Sequence, residues 1–281
     1  MTPDPLVTDP AADLRPLATT PAITFTSGGE TLLGVLHVPA GPGPHPVVLL
    51  LHGFPGMERN FDVAQALRRA GYATLVFHYR GSWGMGGSWS WRHVLEDSAA
   101  AVAALREPGL AAAHRLDPSR LVIAGHSLGG FAALMTAAAD PSVAAAASWA
   151  GFDFGAVAAA VREDPGKRVT YVEAFGEDLL PLCGTGGEAL TAEMEEAGEQ
   201  WRLARLAPRF EGRPVLLIGT SRDVVTPHTL HHEPLAAAFR ARPSGALEED
   251  VFATDHALSD HRVALTRTLL SFLDRHVGTA G

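Results

Sequence analysis

Residues 46–51, Pro-Val-Val-Leu-Leu-Leu, offer no polar side chain to either face of a strand. A strand without alternation must be buried on both sides, as in a parallel sheet covered by helices. The signature recurs: residues 73–79, 120–124, 143–149 and 214–218 read as further buried strands, and 248–253 as one more. Between them the apolar spacing becomes helical over 61–70, 91–106, 128–139, 230–240 and 262–277, with Gly71 placed to cap the first helix. Residues 23–26 and 31–38 alternate around Gly28 and Gly29 and predict an antiparallel hairpin. Strands alternating with helices give an α/β fold, a mostly parallel sheet with helices on both faces. Right-handed crossovers make it doubly wound, with ligands expected at the carboxyl ends of the strands.

One stretch breaks the alternation. Residues 152–209 are far longer than a crossover helix needs. Their Gly-Thr-Gly-Gly at 184–187 and an acidic helix over 189–203 predict an irregular, mainly helical excursion, read as a lid over the sheet. Residues 1–22, rich in Pro, Asp, Thr and Ala, read as a flexible or surface-draped segment and not as a signal peptide. The organisation expected is therefore a tail at 1–22 and a single domain at 23–281 carrying the insertion.

Composition removes several function classes. The net charge is −9, and Lys167 is the sole lysine, so clustered cations for a polyanion are missing and nucleic acid is not expected as a partner. The apolar runs are too short to span a bilayer, which predicts no membrane association and a cytoplasmic protein. A single cysteine, Cys183, excludes an internal disulfide and a cysteine-rich zinc site. It reads as a buried or lid residue.

The chemistry concentrates at Gly125-His126-Ser127-Leu128-Gly129. A Gly-x-Ser-x-Gly pentapeptide is weak alone, but here a buried strand runs into it and a helix runs out, the context a nucleophile elbow requires. A serine hydroxyl needs a base, and the base needs an orienting group. Asp223 follows the strand at 214–218 and His256 follows the strand at 248–253, both at the same sheet edge as Ser127.

These residues, with Leu-His-Gly-Phe-Pro-Gly at 51–56, Tyr79-Arg80-Gly81, the elbow at 125–130 and Asp255-His256, resemble an α/β-hydrolase of the dienelactone-hydrolase-like and prolyl-oligopeptidase-like esterase branch. The resemblance runs from about residue 31 to residue 277. It implies the α/β-hydrolase fold, an about eight-stranded sheet with a small mainly helical lid. It further implies that Ser127 attacks, His256 acts as general base, Asp223 orients the imidazole, and the backbone amides of Phe54 and Leu128 form the oxyanion hole. A single His-Gly step stands where one lipase branch carries three glycines. The expected reaction is hydrolysis of a small-molecule carboxylic ester through an acyl-enzyme, with no cofactor and no metal. A small peptidase or amidase, an acyltransferase, or a non-catalytic binding protein with a hydrolase shell remain open alternatives.

His126 precedes the nucleophile and should pack inward; His261 opens the closing helix; Asp255 adjoins the base and Asp250 lies inside a strand. His228, His231 and His232 read as solvated or substrate-facing, since no carboxylate-rich pattern accompanies them. The glycine-rich 81–87 segment lacks a phosphate-binding lysine and reads as a mobile pocket edge. Aromatic residues near strand ends, Phe54, Trp83, Trp89, Trp149, Phe152 and Phe154, are the expected pocket wall.

Overall fold

The computed structural model describes residues 4–177, 179–242 and 246–279. Residues 1–3 of the expected tail and residue 178 of the insertion lie outside the described residues. In chain order the elements begin with β1 (Ala22–Ser27), β2 (Glu30–His37), β3 (His45–Leu51), α1 (Phe61–Arg69) and β4 (Ala73–Phe77). They continue with α2 (Trp91–Arg106), α3 (Pro108–Ala113), β5 (Leu116–His126), α4 (Leu128–Ala139) and β6 (Ala145–Trp149). The insertion follows as α5 (Phe154–Glu163), α6 (Gly166–Glu177), α7 (Gly187–Ala197) and two 3-10 stretches, Gly198–Trp201 and Leu203–Phe210. The chain closes with β7 (Val215–Thr220), α8 (His228–His231), α9 (Glu233–Arg240), β8 (Leu247–Phe252) and α10 (Arg262–His276).

All eight strands form one sheet in the order β1-β2-β4-β3-β5-β6-β7-β8. The first two pairings are antiparallel and the rest parallel. Positive φ at Gly28 and Gly29 closes the β1–β2 hairpin, a conformation L side chains resist. The central strands divide their side chains between two core layers with a period of two. Val47, Leu49, Leu121, Ile123, Val215 and Leu217 enter the layer shared with α2, α4 and the insertion. Val48, Leu50, Val122, Ala124, Leu216 and Ile218 enter the layer shared with α1 and α10. β8 is the sheet edge, and there Glu248 pairs with Arg275 and His276 while Glu249 pairs with Arg240 and His232. Charge at an edge discourages pairing with another chain.

The insertion is helical and its α7 docks on the start of α2. Glu193 accepts hydrogen bonds from the backbone N–H groups of Trp91 (2.9 Å) and Arg92 (2.8 Å), the start of α2, and Trp91 Nε1 donates to Leu190 O at 2.9 Å. A carboxylate there satisfies orphan amides and meets the positive end of the helix dipole. The helix expected over 189–203 stops at Ala197, because Gly198 turns to φ +47° and the chain tightens to 3-10. The 81–87 loop is tied to this insertion, with Cys183 N donating to Gly81 O (2.7 Å) and Trp89 N to Cys183 O (2.9 Å); Cys183 itself is exposed. The tail lies against the sheet's flank: Thr19 bridges to Val38, Asp4 pairs with Arg267, and Arg69 donates to Pro5 O. Among the described residues no helix is long and apolar enough to cross a membrane.

Candidate active site

Three strand ends converge at one point of the sheet edge. β5 ends at His126, and Ser127 then adopts φ 55° and ψ −120° before α4 begins. A non-glycine residue with such a backbone is strained, and strain of this kind is kept where the surroundings over-determine it. The flanking glycines make the turn possible. A methyl group on Gly125 would lie 2.1 Å from Gly129 O, and one on Gly129 would lie 2.1 Å from Leu51 O. Gly129→Ala is accordingly expected to cost about 1–3 kcal/mol by overpacking, read as a lower thermal midpoint, with slower fluorophosphonate labelling of Ser127.

The loop after β3 lies against the same serine, since a methyl on Gly53 would come 3.1 Å from Ser127 Cβ. The backbone N–H groups of Phe54 and Leu128 enter no loop, turn or cap hydrogen bond among the described residues. Leu128 is the first residue of α4, so its amide is one of the helix's orphan donors. Both are free to receive an oxyanion.

Asp223 sits in the loop after β7 with its carboxylate fully buried. Oδ1 accepts from the backbone N–H of Val225 and Thr226, both 2.8 Å, and Oδ2 accepts from Thr220 Oγ1 (2.8 Å) and His256 Nδ1 (2.7 Å). Burial alone would raise its pKa, but the bonds from His256 and Thr226 outweigh it and hold the carboxyl well below the usual range. Thr226 Oγ1 also donates to Oδ2 (2.5 Å), and this ionised, five-donor carboxylate fixes the imidazole with Nδ1–H toward Asp223, which leaves Nε2 as the basic nitrogen. His256 is placed beside the elbow by His126, whose Nε2–H donates to His256 O at 2.7 Å, with the two rings 4.8 Å apart. Burial keeps His126 neutral down to about 3, so it is a neutral brace. His261 and Asp255 are engaged elsewhere, with Asp260 and Ser259 respectively.

Over the serine lies an aromatic group. Phe152 N donates to Ser127 O at 3.2 Å. Its ring stands 4.6 Å from that of Phe154 and 6.1 Å from that of Phe175, the one buried residue of α6. Phe54 meets Trp91 (5.1 Å), Trp89 (6.0 Å) and Phe175 (6.2 Å). Trp83 buttresses the other side of the loop after β3, donating from Nε1 to Pro55 O at 2.9 Å. Trp149 does not belong to this group. The alternation along β6 turns it into the α1/α10 layer, where it stacks on His126. Tyr171 of α6 joins the group, its ring 6.5 Å from Phe152 and 5.9 Å from Phe175; Tyr171, Trp91 and Phe175 are not among the residues the sequence singles out for it, nor are Thr220 and Thr226 as supports of Asp223. The hydroxyls three residues either side of Asp223 were the available signal. Asp153, whose carboxylate caps α5 by accepting from Ala156 N (2.9 Å), is pushed up to about 6 by burial. Its own N–H donates to His231 Nδ1 at 2.9 Å. Among the described residues no group of three or more His, Cys, Asp or Glu is arranged to hold a metal ion.

A hydroxyl at a strained elbow, an imidazole oriented by a buried carboxylate and two free amides are the parts nucleophilic acyl transfer needs. A model of the alpha/beta hydrolase family matches residues 48–268. In sequence the chain is similar to 2,6-dihydropseudooxynicotine hydrolase of Paenarthrobacter nicotinovorans, 29% identical over 149 residues, 52% of this chain and 40% of that protein. In structure it is similar to a puromycin-hydrolyzing peptidase of Mycobacterium tuberculosis, with TM-score 0.68 and 23% identity over 95% of this chain and 42% of that one. It is also similar to Est1E of Butyrivibrio proteoclasticus, with TM-score 0.65 and 19% identity over 91% and 98% of the two chains. The chain spans less than half the length of the curated relatives it matches.

Proposed function

The chain belongs to the alpha/beta hydrolase family, and we propose that it hydrolyses carboxylic esters through an acyl-enzyme. Ser127 Oγ attacks the ester carbonyl as His256 Nε2 takes its proton. The tetrahedral oxyanion lies against the amides of Phe54 and Leu128. Collapse expels the alcohol, which receives the proton from His256. Water then attacks the acyl-enzyme with the same histidine as base, and collapse of the second intermediate releases the acid and restores Ser127. Asp223 stays ionised throughout and stabilises the imidazolium.

The observation that carries this reading is the 2.7 Å Asp223–His256 bond held beside a serine at φ 55°. The apolar, aromatic surroundings suit an uncharged acyl or aryl group. The insertion is the proposed lid. α6 reaches the aromatic group through Phe175 and is otherwise largely exposed, so it is the element whose displacement would admit a substrate.

A matched pair of substrates tests the proposal. The p-nitrophenyl ester of a short acid is expected to turn over with a burst of nitrophenol, while the corresponding p-nitroanilide is cleaved at least about 100-fold more slowly, because an amine is the poorer leaving group. Equal or faster anilide cleavage would point to a peptidase or amidase. Failure of a fluorophosphonate to label Ser127 in folded protein would point to a binding protein.

A further inference from the structure

His231 is buried (1% exposed) in the layer between the aromatic group and the Asp223 loop. Its ring stands 4.8 Å from Phe152, the residue whose N–H holds Ser127 O. The ring is close enough to Asp223 for its carboxylate charge to act on it. Its two nitrogens have different fates. Nδ1 lies 2.9 Å from Asp153 N, and because a backbone N–H only donates, Nδ1 must be the lone-pair nitrogen. Burial keeps the ring neutral down to about 4, so the single proton is on Nε2. Among the described residues nothing accepts from Nε2, although the atom is shielded from solvent. A buried donor without an acceptor carries a desolvation cost that an incoming acceptor relieves.

We infer that His231 is a specificity-determining residue whose Nε2–H receives a neutral acceptor oxygen on the substrate, so that the preferred ester carries a carbonyl, ether or hydroxyl oxygen on the portion lying against Phe152. The acceptor is neutral because the ionised Asp223 nearby repels an anion and the neutral imidazole brings no charge to offset that. This rests on the esterase reading for the identity of the substrate, but not for the existence of the donor. The role differs from that of His126, whose N–H is already spent on a backbone carbonyl.

The test compares aryl esters that differ only in methoxy against ethyl, placed ortho, meta or para on either the acyl or the alcohol ring. Wild-type enzyme is expected to prefer a methoxy ester at one ring position by at least about tenfold in kcat/KM. His231→Asn keeps an acceptor for Asp153 N–H but removes the distal donor, and should bring that ratio to about one. His231→Gln, whose amide N–H reaches the Nε2 position, should restore part of it. A wild-type ratio near one at every position, or an unchanged ratio in His231→Asn, overturns the inference. A second readout does not depend on turnover or on a folded His231 variant. In 15N-histidine-labelled Ser127→Ala protein titrated with the whole methoxy series, at least one methoxy ester should shift the His231 Nε2–H resonance and its ethyl counterpart should not. If the wild type cleaves no ester yet that shift appears with a methoxy compound, the donor stands and the esterase reading fails. If no methoxy compound shifts it, the donor assignment fails, whatever the enzyme cleaves.

Discussion

Replacing Ser127 by alanine is expected to lower turnover of a short-chain aryl ester by about four to six orders of magnitude. The reason is chemical. Among the described residues the rival groups are engaged or distant: Thr226 Oγ1 donates to Asp223 on the Nδ1 side of His256, His126 is buried and donates to a carbonyl, and Cys183 is exposed on the insertion beyond Gly81. The variant keeps both amides of the proposed oxyanion hole, since backbone N–H groups survive a side-chain change, so ground-state binding should persist while the covalent step disappears. Stopped-flow kinetics should show the loss of the burst together with kcat, with KM rising toward the substrate dissociation constant because no accumulating acyl-enzyme depresses it. Fluorophosphonate labelling should vanish in parallel. Turnover within about tenfold of wild type would remove Ser127 from the mechanism and with it the acyl-enzyme.

The second large effect falls on stability. Asp97→Ala is expected to cost about 3–5 kcal/mol, because it strips the partner from a buried guanidinium. Asp97 is fully buried and Arg80 is 5% exposed; the carboxylate accepts from Arg80 N at 2.7 Å and from Arg80 Nε at 2.6 Å. The remaining partner, Glu96, is largely exposed and cannot replace it. Arg80 also lies against the hairpin, since a methyl on Gly28 would fall 1.8 Å from Nη1. The pair therefore joins β1–β2, the end of β4 and α2. A urea titration should show the midpoint fall with an unchanged slope. Replacing both residues together with apolar ones of similar volume should recover much of the loss. A single-variant change under about 1 kcal/mol would mean that water reaches the guanidinium.

The sheet was legible because its signals are local. An apolar stretch such as 46–51 can be buried only on both faces, and the structure divides its side chains between two layers accordingly. Ser127, Asp223 and His256 come to one edge for a similarly local reason, since each lies within four residues of the end of a parallel strand. Errors arise where tertiary context decides. The helix read over 230–240 is split into α8 and α9 at His232, where Pro234 opens the second piece with its missing N–H. α3, only six residues beginning with Pro-Gly, carries too little periodicity to be read. Trp149 was expected in the pocket because a position near a strand end says nothing about which face the side chain takes. The Asp153–His231 bond joins residues 78 apart in sequence and had no local signature.

The carboxylate of Glu193 at the start of α2 has one more consequence. It rivets α7 to the scaffold through two main-chain amides, so that part of the insertion shares the rigidity of the sheet. α6 has no such rivet; Arg168 ties it to α7 through the largely exposed Glu188 and through Glu195, and surface pairs of this kind are weak. If the insertion is the proposed lid, α7 is its fixed frame and α6 its exchangeable shutter. On that reading, substitutions confined to α6 should change which substrates enter and leave the chemistry beneath it untouched, so the two properties can be altered independently.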